Sequence, residues 1–145
     1  MNAKVKTGAL AALLLTAALL VFAIRTGRGL TLRDIDGVAH GTITNLEGDP
    51  TVLLFLGTTC PISNQYSPEI TRMCDGLQAT GGSCILVYPE PGLTREALKS
   101  HLDQYRLHFP AILDQNQALV QQMAAAITPE AVVLSKSGRA LYQGR

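Results

Sequence analysis

Hydrophobic and polar positions divide the chain into blocks of different period. The first, Gly8 to Ile24, is an uninterrupted apolar or small-residue run with Lys4 and Lys6 ahead of it and Arg25 and Arg28 behind. A run of that length, with no polar face, predicts an N-terminal hydrophobic helix that targets a membrane. It is longer than a usual signal-peptide core and sits at the short end of a membrane span. No Ala-x-Ala-like site follows, so a signal anchor is favoured over a cleaved signal peptide, with residues 1–29 as anchor and short linker. A buried soluble helix is the third reading, disfavoured by the missing polar face. Either targeted outcome delivers the remaining chain to the extracytoplasmic side, periplasmic or at the cell surface, although basic residues on both flanks weaken the orientation signal. In such a compartment cysteines can persist as disulfides.

The pattern then changes to a period of two. LTLRDIDGVAHGTITNL alternates apolar and polar residues around Asp36-Gly37, which predicts an opening hairpin. After Pro50, TVLLFLG is apolar throughout, with β-branched and aromatic members, as expected of a central strand buried on both faces. From Pro61 to about Ala79 the spacing of Ile62, Tyr66, Ile70, Met73 and Leu77 is helical, and Gly81-Gly82 ends it. SCILVY, Ser83 to Tyr88, predicts a second buried strand, completing a strand, helix and strand of the lengths a parallel crossover requires.

Thr94 predicts the cap of a second helix through about Arg106, with Leu98, Leu102 and Tyr105 on one face. Phe109 to Asp114 is a short apolar piece, and Gln115 to Ala126 is again helical in pattern. Ala131 to Leu134, a Lys-Ser-Gly turn and Arg139 to Gln143 predict a closing hairpin. The order implies an α/β fold with a mixed central sheet flanked by helices. With 145 residues the chain has room for one domain, over residues 30–145, and it contains no internal repeats.

Charge adds an exclusion. Twelve basic against eleven acidic residues leave a net charge of +1, with no basic run and no aromatic-basic interleaving, so nothing points to a nucleic-acid partner.

The chemistry lies in TTCPISNQ, Thr58 to Gln65, where an apolar strand runs into a helix start. The first turn of a helix presents unpaired N–H groups and partial positive charge, so a cysteine there is pushed toward thiolate. Pro61 suits the first helical position, where a missing N–H is not needed. The bland alternative makes Cys60 a small buried hydrophobe at a strand end.

Three features together resemble a known family: the opening hairpin, Gly57-Thr58-Thr59-Cys60-Pro61 at the helix start, and Thr128-Pro129-Glu130-Ala131 before the closing hairpin. On these, Leu30 to Arg145 looks like a thioredoxin-fold redoxin of the alkyl hydroperoxide reductase and thiol-specific antioxidant (AhpC/TSA) group, especially its membrane-tethered, TlpA-like extracytoplasmic members. The resemblance implies a cis peptide at Thr128-Pro129, facing Cys60, with the Thr128 backbone pairing an extended substrate segment. The residues alone would leave that proline trans. Related folds usually finish with a helix over one sheet face, whereas here the sequence stops at Gly144-Arg145; the expectation is a domain lacking that helix, its face covered by a neighbouring chain or by a continuation.

One departure matters. Where a Cys-x-x-Cys motif would place its second thiol the chain has Ser63, whose hydroxyl can hydrogen-bond a thiolate but cannot attack a mixed disulfide. Cys74 lies on the following helix, about 21 Å along it at 1.5 Å per residue, far beyond the roughly 7 Å Cα separation that a disulfide tolerates. Cys84 begins the strand at the opposite sheet edge. The same crossover brings Cys84 toward the C-terminal part of Cys74's helix, leaving open a structural disulfide between them or two reduced core thiols.

The expected function is therefore thiol–disulfide exchange through a single reactive cysteine, with an external thiol or disulfide protein as partner, no cofactor, and membrane attachment through the N-terminal helix. Glu90, just past the second strand on Cys60's edge, is a candidate proton acceptor, against a solvated loop charge. The first alternative is a peroxiredoxin-like antioxidant. That family pattern needs a threonine three residues before the cysteine, where this chain has Gly57, and an arginine against the thiolate, whereas Arg139 lies beyond the last turn. Metal delivery is disfavoured because His40, His101 and His108 show no ligand spacing with a second cysteine near Cys60. A non-catalytic redox-sensing or interaction domain completes the alternatives.

Overall fold

The structure, a computed structural model, describes residues 29–145. The predicted N-terminal hydrophobic helix lies outside the described residues, and among these no helix is long and apolar enough to cross a membrane.

Strands β1 (Thr31–Arg33), β2 (Ala39–Thr42) and β3 (Asn45–Leu46) form a small antiparallel sheet. The predicted opening hairpin is its first turn, with the Asp34 carboxylate accepting from the N–H groups of Asp36 and Val38, both at 2.9 Å. The main sheet contains β4 (Thr51–Phe55), β5 (Ser83–Tyr88), β6 (Ala111–Leu113), β7 (Glu130–Leu134) and β8 (Ala140–Gly144) in the order β6-β5-β4-β7-β8. β4 pairs parallel with β5 and antiparallel with β7, so the sheet is mixed and β4 lies at its centre. All five β4 residues are buried, in keeping with its unalternating sequence.

Alternate residues of these strands feed two cores. Val52, Leu54, Leu56, Cys84, Leu86 and Tyr88 pack against helices α2 (Ser67–Ala79) and α3 (Arg95–Tyr105). Leu53, Phe55, Ile85, Val87 and Val132 face the other way, toward the small sheet and the short helix α4 (Ala118–Met123). Thr94 caps α3 as expected, its hydroxyl accepting from Ala97 N–H at 3.1 Å.

Two helix expectations need correction. The segment predicted as one helix from Pro61 is two, α1 (Pro61–Gln65) and α2, hinged at Tyr66. Pro68 is the cause: it has no N–H for the Asn64 carbonyl, and its ring crowds that carbonyl. The helical pattern of Gln115 to Ala126 forms a helix only over α4, because Gln117 and Ala124 at its two ends adopt left-handed backbone, with φ of 54° and 53°. The Asp114 carboxylate accepts from Leu119 and Val120 N–H, both at 3.0 Å, and so starts the helix late. The unassigned apolar piece became β6, parallel to β5. A second cis proline bond, Asp49-Pro50, carried no signal in the sequence reading.

Cys74 and Cys84 are disulfide-bonded, with a Cα separation of 5.5 Å, and both are fully buried. The bond ties the later part of α2 to the start of β5, ten residues apart in sequence. A loop of that length, closed in the unfolded chain, corresponds to about 3 kcal/mol. Reducing the bond is expected to lower unfolding stability by that order, measured as the change in urea midpoint between oxidised and reduced protein.

Candidate functional site

The C-terminal end of β4 delivers the chain to its turn. After Phe55 the strand direction continues through Leu56, whose N–H donates to the Val87 carbonyl at 2.9 Å, and the backbone then turns at Gly57-Thr58-Thr59. Cys60 N–H closes that turn on the Gly57 carbonyl at 3.2 Å. A Cβ on Gly57 would lie 3.2 Å from Cys60 Cβ and 3.4 Å from Thr128 Oγ1. A side chain there would require Cys60 to shift by a few tenths of an ångström.

Cys60 is the N-cap of α1 in extended backbone, and Pro61 occupies the first helical position. Cys60 is partly exposed, and its sulfur accepts from Ser63 N–H at 3.5 Å, while the thiol donates to the Thr128 carbonyl at 3.5 Å. The Thr128-Pro129 peptide is cis. Ser63 is buried, and its Oγ accepts from Gly57 N–H at 3.3 Å, which leaves its own O–H free for the sulfur. These groups lower the Cys60 thiol to about 7. The Ser63 hydroxyl has the largest influence and the Ser63 N–H the next; partial burial opposes them, and the Thr128 side chain and Ile62 N–H add smaller amounts.

Glu90 arrives from the loop after β5. Its Oε2 accepts from Thr58 N–H at 2.9 Å and its Oε1 from the Thr58 hydroxyl at 2.8 Å. The carboxylate thus grips the turn that carries Cys60, and both of its oxygens are engaged there. Asn64, one helical turn past Cys60, donates through Nδ2 to the Thr58 carbonyl at 3.0 Å. The sequence reading named neither Thr58 nor Asn64 for such a part; an amide within the first turn of a proline-led helix was the available signal.

Of the five residues expected at the site, Cys60, Ser63, Thr128 and Pro129 meet at one edge of the sheet, and Glu90 meets them through Thr58. Cys74 and Cys84 lie at the other end, since Val52 and Cys84 are paired near the start of β4. Arg139 is exposed in the turn after β7, also at the far end. The histidines are dispersed. His40 pairs with Asp34 at 2.8 Å, His108 with Asp75 at 3.1 Å, and His101 is buried against Tyr88 and Tyr105. Among the described residues no three His, Cys, Asp or Glu side chains gather to hold a metal.

A groove of about 430 Å³ runs past Ile62 and Pro129, lined also by Leu54, Tyr66, Met73 and Ala131 among others. Ile62, Tyr66 and Met73 are each well exposed along it.

A mixed sheet flanked by helices, with a cysteine at the start of the helix after the central strand and a cis proline opposite, defines a thioredoxin-fold protein. The chain belongs to the AhpC/TSA family, whose sequence profile matches residues 29–142. Solved structures agree on the fold. A secreted Mycobacterium tuberculosis disulfide oxidoreductase homologous to E. coli DsbE aligns with a TM-score of 0.62 at 19% identity, over 76% of this chain and 78% of that one. StoA from Bacillus subtilis aligns with a TM-score of 0.66 at 19% identity, over 79% and 84%. A thiol-disulfide oxidoreductase from Bacteroides fragilis aligns with a TM-score of 0.65 at 16% identity, over 78% and 85%. No curated protein sequence is significantly similar to the chain.

The Cys60 thiol, lowered to about 7, is mostly thiolate above that pH and loses about a factor of ten in thiolate for each unit below it. The rate of iodoacetamide alkylation should follow the same curve. Ser63→Ala removes the hydroxyl with the largest influence and is expected to move the midpoint upward, toward the ordinary thiol value, as read from alkylation rate or thiolate absorbance against pH.

Proposed function

We propose that this protein is an extracytoplasmic, membrane-attached redoxin that carries out thiol–disulfide exchange through Cys60 alone. The observation that carries the reading is a partly exposed, free Cys60 at a helix start, lowered to about 7, while Cys74 and Cys84 are bonded to each other far from it.

The chemistry is two displacements. The Cys60 thiolate attacks one sulfur of a partner disulfide, forming the mixed disulfide and releasing the other sulfur as a thiolate that takes up a proton. An external thiol, as thiolate, then attacks the partner's sulfur in the mixed disulfide, which transfers the partner and frees Cys60. Ser63 has no thiol with which to attack, so resolution comes from outside. Beside the sulfur, the Thr128 backbone offers its carbonyl to an extended partner segment, and the helix N–H groups stabilise the negative charge that returns to Cys60.

The location rests on the apolar run Gly8 to Ile24 and fits the Cys74–Cys84 bond, since such bonds persist outside the reducing cytosol. Peroxide reduction is the weaker reading. Gly57 stands where a peroxidase-type site carries its threonine, in a place where a Cβ would lie 3.2 Å from Cys60 Cβ, and Arg139 lies at the wrong end of the sheet.

Incubation with a disulfide substrate such as oxidised glutathione should leave a mixed disulfide on Cys60, detected as a mass increase that added thiol removes. Cys60→Ser should abolish it. Ser63→Cys should convert the site to an internal two-thiol cycle, so that the mixed disulfide no longer accumulates and an oxidised species of unmodified mass less two hydrogens replaces it. Retention of exchange in Cys60→Ser, or rapid peroxide turnover with a small thiol as reductant and no partner protein, would sink the reading.

A further inference from the structure

The grip on Thr58 is a device separate from the sulfur's own hydrogen bonds. Thr58 lies two residues before Cys60, in the turn that closes on Gly57, and three of its polar groups are held from outside the turn. Glu90 takes the N–H and the hydroxyl at 2.9 Å and 2.8 Å, and Asn64 donates to the carbonyl at 3.0 Å. Glu90 comes from 32 residues downstream, on the loop after the neighbouring strand, so the contact fastens the turn to the sheet. Asn64 comes from α1 itself, with its own N–H donating to the Cys60 carbonyl at 3.1 Å, and therefore fastens the turn to the helix that stabilises the thiolate.

Each bond has a charged or amide partner, and charge-assisted bonds are the stronger kind. Thr59, by contrast, is exposed. Without the grip, the Gly57-Thr58-Thr59 turn would be held mainly by Cys60 N–H on Gly57 O and by Gly57 N–H on Ser63 Oγ, at 3.2 Å and 3.3 Å. The alignment of the sulfur with Ser63 N–H and with the Thr128 carbonyl, both at 3.5 Å, would then loosen.

We propose that Glu90 and Asn64 are positioning residues that act through Thr58 to hold Cys60 at the helix start, and that their hold maintains its reactivity. The role of Glu90 is then to accept from the backbone and hydroxyl of Thr58 rather than to take a proton from a reacting thiol. The inference deepens the reading of Cys60 as an exchange site and rests on it only for its biological purpose, because the state of the sulfur can be measured without a partner.

The test uses the full chain with Glu90→Ala, Glu90→Gln and Asn64→Ala, each measured for Cys60 alkylation rate against pH and for unfolding midpoint. Glu90→Ala and Asn64→Ala should raise the thiol midpoint by half a pH unit or more, a roughly threefold loss of thiolate at pH 6. Glu90→Gln retains one acceptor oxygen and should fall between the wild type and Glu90→Ala. A lower unfolding midpoint with an unchanged thiol titration would mark a structural role only and overturn the proposal. A midpoint that moves downward, equally in Glu90→Ala and Glu90→Gln, would show that the charge of Glu90 matters and its grip does not, and would overturn it as well. Loss of disulfide exchange in wild-type protein with these titration shifts intact would instead count against the exchange reading alone.

Discussion

The structure depends on a sulfur held where a buried strand meets the beginning of a helix. Thiolate is the charged form of a side chain that usually stays neutral, and a charge next to an apolar core is unfavourable unless hydrogen bonds meet it. Here the N–H of Ser63, its hydroxyl and the first-turn dipole meet it from the helix side, while on the other side the Thr128 carbonyl accepts from the neutral thiol only. That arrangement requires β4 to end where α1 begins, and it requires β7 to start beside both. The central place of β4, parallel to β5 and antiparallel to β7, satisfies the two requirements together.

The disulfide and the free cysteine divide three sulfurs by geometry. Parallel pairing sets Val52 beside Cys84, at the far end of the sheet from the turn. α2 returns over the same face, so Cys74 comes down onto Cys84 with a Cα separation of 5.5 Å. Neither sulfur can then reach Cys60 without unmaking the β4–α2–β5 unit. The single free thiol is thus a consequence of the crossover, and the proposed exchange through Cys60 alone builds on it.

Specific departures from regular structure surround the same edge. Pro68 splits the helix one turn beyond Ser63, which leaves α1 short and lets Tyr66 stand exposed beside Ile62. Gln117 and Ala124 hold left-handed backbone at either end of α4, close to the chain that leads into Thr128. Left-handed backbone costs a non-glycine residue about 1–2 kcal/mol, so packing elsewhere maintains both. Leu119 supplies part of it, buried against the same core as Phe55 and Val132.

Much of this was legible in the sequence because it rests on local rules. An unalternating apolar run such as Thr51 to Phe55 has two buried faces wherever it sits, and a cysteine followed by proline at its end belongs to a helix start. Thr94 caps its helix through atoms three residues apart, so its part could be read from spacing alone. The break at Tyr66 was also written locally, in Pro68, but a strong helical period hid it. What tertiary structure alone decided was everything that joins residues distant along the chain. The pairing of Cys74 with Cys84 stayed open until the crossover was folded, and the grip of Glu90 on Thr58 spans 32 residues with no period to announce it. Sequence pattern reports which face of an element is buried; the identity of the atom that a carboxylate or a sulfur meets across the sheet is set by register and strand order, which no single segment contains.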